Sequence, residues 1–322
     1  MAKYIAKVIV AAFCAAQGWA GWTVETVPGA GVLNDVAFWD ESHGWICGDT
    51  GLLWRYDGNR WVKYEHNLTA KNLNAVSFGS DNWHYGCCGG DDGTLLEYDG
   101  EWRVIPALNP TSIYDTYGYG ITAGRFKNGK VWRRPGDEWI VEETPFPEAL
   151  YGVTVSGAGW PYNDWAVGEN GTIAVVTGWY KWEKYFSPTT RNLRAVDFDW
   201  YYFGFACGDG GTMIFYGPRE WEIAPVPTTE DLFDVFVVST EDAWAVGAGN
   251  TILRYRNGSW VKDESPAPTG TVLRAVFFPT PDEGWAVGNA GVTPVVLHYT
   301  VSPSICPASL GRIKALFGKT GR

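Results

Sequence analysis

Apolar residues recur along this chain in short alternating runs, with no helical spacing inside them, and the runs follow one another in a fixed order. The clearest copy opens with Leu33-Asn34-Asp35-Val36-Ala37-Phe38, passes through Gly44-Trp45-Ile46-Cys47-Gly48-Asp49-Thr50-Gly51 and Leu52-Leu53-Trp54-Arg55-Tyr56-Asp57-Gly58, and reaches Trp61. Such runs, rich in β-branched and aromatic residues and separated by Gly, Asn and Asp, predict strands and tight turns. Asp92-Gly93, Asn170-Gly171, Gly210-Gly211 and Gly249-Asn250 fall between the second and third runs, where a hairpin needs positive φ. Asp57-Gly58, Asp99-Gly100 and Asn257-Gly258 do the same between the third and fourth. Each copy predicts four antiparallel strands.

The pattern repeats with a period of about 40 residues, the length of one four-stranded propeller blade. The glycine ending the second run recurs at Gly48, Gly90, Gly124, Gly168, Gly208, Gly247 and Gly288, and the fourth-run tryptophan at Trp61, Trp102, Trp139, Trp182, Trp221 and Trp260. A lone sheet of this composition has two apolar faces; radial packing covers both and leaves only short edges. The predicted fold is all-β, a seven-bladed β-propeller of four-stranded antiparallel blades. The last copy lacks a tryptophan after Tyr299, whereas Trp22-Thr23-Val24-Glu25-Thr26-Val27-Pro28 matches Trp260-Val261-Lys262-Asp263-Glu264-Ser265-Pro266. An N-terminal strand is therefore expected to complete the last blade. The third copy departs most, with Ile121 at the Trp45 position and a longer turn, Arg125-Phe126-Lys127-Asn128-Gly129, after Gly124.

The termini and the charge bound the setting. Residues 1–20 carry Lys3 and Lys7, an apolar run from Val8 to Ala16, and small residues Gly18 and Ala20, the pattern of a cleavable secretory signal. The propeller is assigned to 21–300. Residues 301–322 read as a linker and a short basic tail, with Leu310, Ile313, Leu316 and Phe317 among Arg312, Lys314 and Lys319. A secreted, monomeric protein is expected, periplasmic or extracellular, with no membrane span after cleavage. The net charge of −11 argues against nucleic acid or an anionic membrane as principal partner. Cys47 and Cys207 share a repeat position held by Val167, Val246 and Val287, so they read as small core residues. Neither a disulfide framework nor a metal or cofactor site is predicted.

Trp165-Ala166-Val167-Gly168, Trp244-Ala245-Val246-Gly247 and Trp285-Ala286-Val287-Gly288, with Gly44 to Gly51, resemble the repeats of the photosystem II stability and assembly factor family, a branch of the sialidase-like BNR propellers. The resemblance covers nearly all of residues 22–300. Asp57-Gly58 with Trp61 and Asn257-Gly258 with Trp260 are similar to the aspartate box of those propellers. The family implies a lumenal or periplasmic scaffold that binds a membrane-protein assembly intermediate through a basic surface, for which Arg125, Arg133 and Arg134 are the loose cluster on offer.

Partner-specific chemistry is expected where the repeats disagree. The residues just after the leading apolar position of each first strand are Asn34, Asn74, Tyr114, Tyr151, Arg194, Phe233 and Arg274, expected at the channel or against adjoining blades. The turn acids Asp49, Asp91, Asp92, Glu169 and Asp209 are explained by turn chemistry, and the one-per-blade tryptophans by packing. Trp83, Trp160, Trp179 and Trp200 do not repeat and are candidates for exposed stacking. The leading functional expectation is a non-catalytic scaffold for a protein partner or an extracellular glycan. The alternative is a sialidase-like glycosidase or carbohydrate-binding propeller, with Arg194, Arg274, Tyr114 and Tyr151 as residues of suitable type but without a marked spacing.

Overall fold

The computed structural model describes residues 20–301 except 28, 80–84, 107–110, 118–120, 125–129, 134–137, 157–162, 178–180, 200–202 and 218–219. The expected leader, apart from Ala20, and the tail beyond Val301 lie outside the described residues.

Strand β1 (Ala20–Glu25) precedes a succession of up-and-down sheets. The first sheet holds β2 (Leu33–Asp40), β3 (His43–Gly48), β4 (Leu52–Tyr56) and β5 (Trp61–Lys63); the second, β6 (Leu73–Phe78), β7 (Gly86–Gly90), β8 (Leu95–Tyr98) and β9 (Trp102–Ile105). The third is β10 (Ile113–Tyr117), β11 (Ile121–Gly124), β12 (Lys130–Arg133) and β13 (Ile140–Glu143). The fourth is β14 (Leu150–Ser156), β15 (Asn163–Gly168), β16 (Ile173–Thr177) and β17 (Lys181–Tyr185). The fifth is β18 (Leu193–Phe198), β19 (Gly204–Gly208), β20 (Thr212–Tyr216) and β21 (Trp221–Ile223). The sixth is β22 (Leu232–Ser239), β23 (Asp242–Gly247), β24 (Thr251–Arg256) and β25 (Ser259–Lys262). The last combines β26 (Val272–Thr280), β27 (Glu283–Ala290) and β28 (Thr293–Val301) with β1, which pairs antiparallel to β28 and places Trp22 opposite Tyr299. First strands pack side by side around an axis, and β26 packs against β2.

The expectation of a seven-bladed propeller is corrected by this ring, which shows six blades of the full form, not seven. In those six, the glycine of the second strand lies against the carbonyl oxygen of the residue before the leading leucine of the first strand. A Cβ at Gly48, Gly90, Gly168, Gly208, Gly247 or Gly288 would fall 1.9–2.2 Å from the oxygen of Val32, Asn72, Ala149, Asn192, Asp231 or Val272. In five of them the next residue donates its N–H to that same carbonyl, as Asp49 does to Val32 at 3.0 Å. The recurring glycine is thus demanded by backbone approach, not by φ, which is extended at −169° for Gly48. Positive φ falls two residues later, at Thr50, Asp92, Asn170 and Gly210. The third sheet stands apart. Its strands are short, the residues after Gly124 that lengthen its turn are outside the described set, and so are the side chains of β11 and most of β12.

Tryptophan periodicity comes from the seams between blades. The fourth-strand indole of one blade meets the second-strand ring of the blade before it edge-on: Trp22 against Trp244 at 5.4 Å, Trp61 against Trp285 at 5.4 Å, Trp102 against Trp45 at 5.4 Å, Trp221 against Trp165 at 5.8 Å, Trp260 against Phe205 at 4.9 Å. Edge-to-face geometry aims the positive ring edge at the negative face, adding roughly 0.5–1.5 kcal/mol per pair beyond area burial. Trp22, Trp61, Trp102, Trp182, Trp221 and Trp260 are all buried.

Candidate functional site

Every first strand breaks register after its leading apolar residue. The ladder shifts between Leu33 and Asp35, and likewise at Leu73/Ala75, Ile113/Asp115, Leu150/Gly152, Leu193/Ala195, Leu232/Asp234 and Leu273/Ala275. The skipped residues are Asn34, Asn74, Tyr114, Tyr151, Arg194, Phe233 and Arg274, the variable positions singled out in the sequence. A bulge frees one residue from the ladder and re-aims its side chain, which is how a regular blade presents irregular chemistry. All seven sit where the first strands begin, on the face that also bears the turns between second and third strands.

Their environments divide them. The Asn34 amide donates to Asp49 Oδ1 and to the Leu73 carbonyl, each at 2.9 Å; Asn74 donates to Asp91 Oδ1 at 3.1 Å and to the Ile113 carbonyl at 2.9 Å. Both are rivets between adjacent blades. Tyr114 meets Tyr151 edge-on at 5.8 Å, and the Arg194 guanidinium lies over Tyr151 at 5.1 Å while its Nε donates to Asp209 Oδ1 at 2.7 Å. Phe233 is half-buried and Arg274 exposed, with no ion pair to Arg274 among the described residues. From the third sheet to the last, the mouth therefore offers an arc of Tyr, Tyr, Arg, Phe and Arg. Arg194 and Arg274 stand on different sheets, with Phe233 on the sheet between them.

Below the bulges lies an axial cavity of about 460 Å³, walled by first-strand residues including Val36, Val76, Val153, Val196, Phe236 and Phe277. Asp35, Asp115, Asp197, Asp199 and Asp234 line it, and the sequence reading did not identify them; four of these carboxylates are held by neighbouring strands. Asp35 accepts from its neighbour Val36 N–H at 2.7 Å and from Val76 N–H of the next sheet at 2.8 Å. Asp115 spans Thr116 and Val153 in the same way, and Asp234 spans Val235 and Val276. Asp197 accepts from Val237 N–H at 2.7 Å and from the Thr154 hydroxyl at 3.4 Å. Burial pushes Asp35 and Asp197 up to about 7 against these hydrogen bonds, and Asp115 and Asp234 well above the usual carboxylate range. Aligning the copies would have shown Asp recurring in the column after the bulge at Asp35, Asp115 and Asp234.

The acidic turns are occupied by structural work: Asp91 holds Asn72 and Asn74, Asp92 pairs with Lys71, and Asp209 binds Asn192 and Arg194. Cys47, Cys87, Cys88 and Cys207 are buried free thiols, and burial pushes Cys87 up to about 12. Trp83, Trp160, Trp179 and Trp200, the backbone of Arg125 and Arg134, and the side chain of Arg133 lie outside the described residues. Among the described residues no group of three or more His, Cys, Asp and Glu could hold a metal, and no helix is long and apolar enough to cross a membrane.

A ring of four-stranded antiparallel sheets around an axial channel, with variable residues at one mouth, is a β-propeller. Its structure is similar to that of YCF48 bound to D1 peptide, at 21% identity and a TM-score of 0.68 over 88% of this chain and 96% of that one. YCF48 from Cyanidioschyzon merolae matches at 19% identity and a TM-score of 0.67, covering 87% of this chain and 99% of the other. The WD40 β-propeller domain of Doa1 matches at 14% identity and 0.68 over 89% and 99%. No family model and no curated protein sequence matches the chain.

Proposed function

We propose that this chain is a secreted, monomeric, non-catalytic propeller that captures a segment of a partner protein at the channel mouth, outside photosynthesis. One observation carries the reading: the positions at which the repeats disagree are the bulged residues, and from Tyr114 to Arg274 they form a continuous aromatic and cationic arc on an otherwise repeated frame. Tyr, Phe and Arg are the residue types that dominate binding energy at protein interfaces. A propeller of similar structure has been seen with a peptide bound, which supports a protein partner in general. The acidic balance of −11 and the pairing of Arg194 with Asp209 separate this arc from an arginine-rich surface, which is why no photosystem partner is proposed.

Pull-down from the native host with purified propeller tests the proposal. Phe233→Ala and Arg274→Ala are expected to weaken capture at least tenfold each, the loss of about 1.4 kcal/mol or more for a central anchor, while thermal unfolding is unchanged. Capture at wild-type strength by both variants would move the interface off the mouth.

A further inference from the structure

We propose that Cys47 and Cys88 form a disulfide that staples the first blade to the second, made by exchange with a small-molecule or protein disulfide. The repeat itself brings them together. Successive side chains of a strand point to opposite faces, so in each second strand the residue just before the recurring glycine faces the following blade and the one before that faces the preceding blade. Val287 accordingly shares a buried cluster with Ile46, Val167 with Ala206, Cys207 with Ala245, and Val246 with Ala286. Where the first sheet meets the second, the same two positions are Cys47 and Cys88. Among the described residues this is the one seam with a cysteine on both sides.

Both thiols are wholly buried and within hydrogen-bonding reach of one another, and Cys47 Sγ also donates to the Leu73 carbonyl of the second sheet at 3.6 Å. The seam is drawn tight around them: Asn34 donates to the same carbonyl at 2.9 Å, and Asp35 accepts from Val76 N–H at 2.8 Å. Bonding closes the two sulfurs from contact to about 2 Å. Cys87 is the internal contrast. It faces away from Cys88, with Sγ 3.6 Å from Ser77 Oγ, which donates to Thr116 Oγ1 of the third sheet at 2.8 Å.

In the exchange, one protein thiolate attacks the donor R–S–S–R, giving a mixed disulfide and R–S⁻. The second attacks the protein sulfur of that mixed disulfide and expels the other R–S⁻. The two thiol protons pass to the two leaving groups and two electrons to the donor, so two S–H groups and one disulfide become one S–S bond and two R–SH. Burial, with Cys88 beside it, pushes the Cys47 thiol well above its ordinary range, so the exchange belongs to the folding chain before the seam shuts. The bond closes a loop from 47 to 88, which restricts the unfolded chain and stabilises the ring.

Refolding the reduced full chain from urea in mixed oxidised and reduced glutathione, then alkylating in denaturant and mapping peptides without reduction, tests this. Wild type should yield peptides joined through Cys47 and Cys88, with Cys87 and Cys207 alkylated. Its unfolding midpoint should lie about 5 °C above that of the same protein refolded in dithiothreitol. Cys47→Val and Cys88→Ala place there the residues that Val167 and Ala166 supply in the fourth blade, so they keep the fold and should lose both the link and the shift. Cys47 and Cys88 both left alkylated in refolded wild type, a link from either to another cysteine, or a link that does not raise the midpoint would overturn the staple.

Discussion

Asp35 and its three counterparts show how single residues set the behaviour of the channel. A carboxylate that accepts two backbone N–H groups is suited to the charged form, yet burial acts against charge more strongly, and the balance leaves Asp35 and Asp197 at about 7. The unfolded chain titrates near 3.8. Between those values the folded protein binds more protons than the unfolded one, so stability is greatest at the acid end and falls as pH rises from about 4 to about 7. The unfolding midpoint should be higher at pH 5 than at pH 8, and the double variant Asp35→Asn, Asp197→Asn should flatten that slope. A midpoint rising over the same interval in wild type would show that these carboxylates are solvated. Their role was hidden in the sequence because an aspartate in an alternating run reads as an outward polar position. Only the bulge, which the residue pattern does not announce, turns it toward the axis.

At the scale of the strand, the frame was largely legible and its reasons were not. Trp22 could be matched to Trp260 by pattern alone, and β1 does complete the last sheet. The glycine column was equally plain, but a turn conformation is the usual explanation for such a residue, and the actual cause is a carbonyl 1.9 Å from where the Gly208 Cβ would be. Gly208→Ala should therefore cost about 3 kcal/mol in urea unfolding, at the upper end of ordinary overpacking; a change under about 0.5 kcal/mol, typical of a free surface position, would mean the approach is not obligatory. Trp22→Ala should cost about 3–5 kcal/mol because it empties a buried seam and weakens ring closure together. Val24→Ala on the same strand, half exposed, should stay within about 0.5 kcal/mol. The third copy, irregular in sequence at Ile121 and after Gly124, is also the sheet that departs from the six regular blades. There the repeat overstated the uniformity of the ring.

The whole molecule pairs a repeated frame with a mouth whose side chains differ blade by blade. The sequence marked seven positions as variable, and all seven are the bulged residues of the first strands. The contacts separate Asn34 and Asn74, which bridge adjacent blades, from the arc Tyr114, Tyr151, Arg194, Phe233 and Arg274 at which we propose that a partner binds. That distinction depends on distances across seams, which no linear pattern encodes. Site-specific photocrosslinking in the native host tests the resulting account most directly, with the crosslinker placed at position 233, at position 274, and at the exposed outer-strand position 104 as control. A discrete protein adduct at 233 and 274 that is absent at 104 is the expected result. Adducts at 104 with none at the mouth would contradict it.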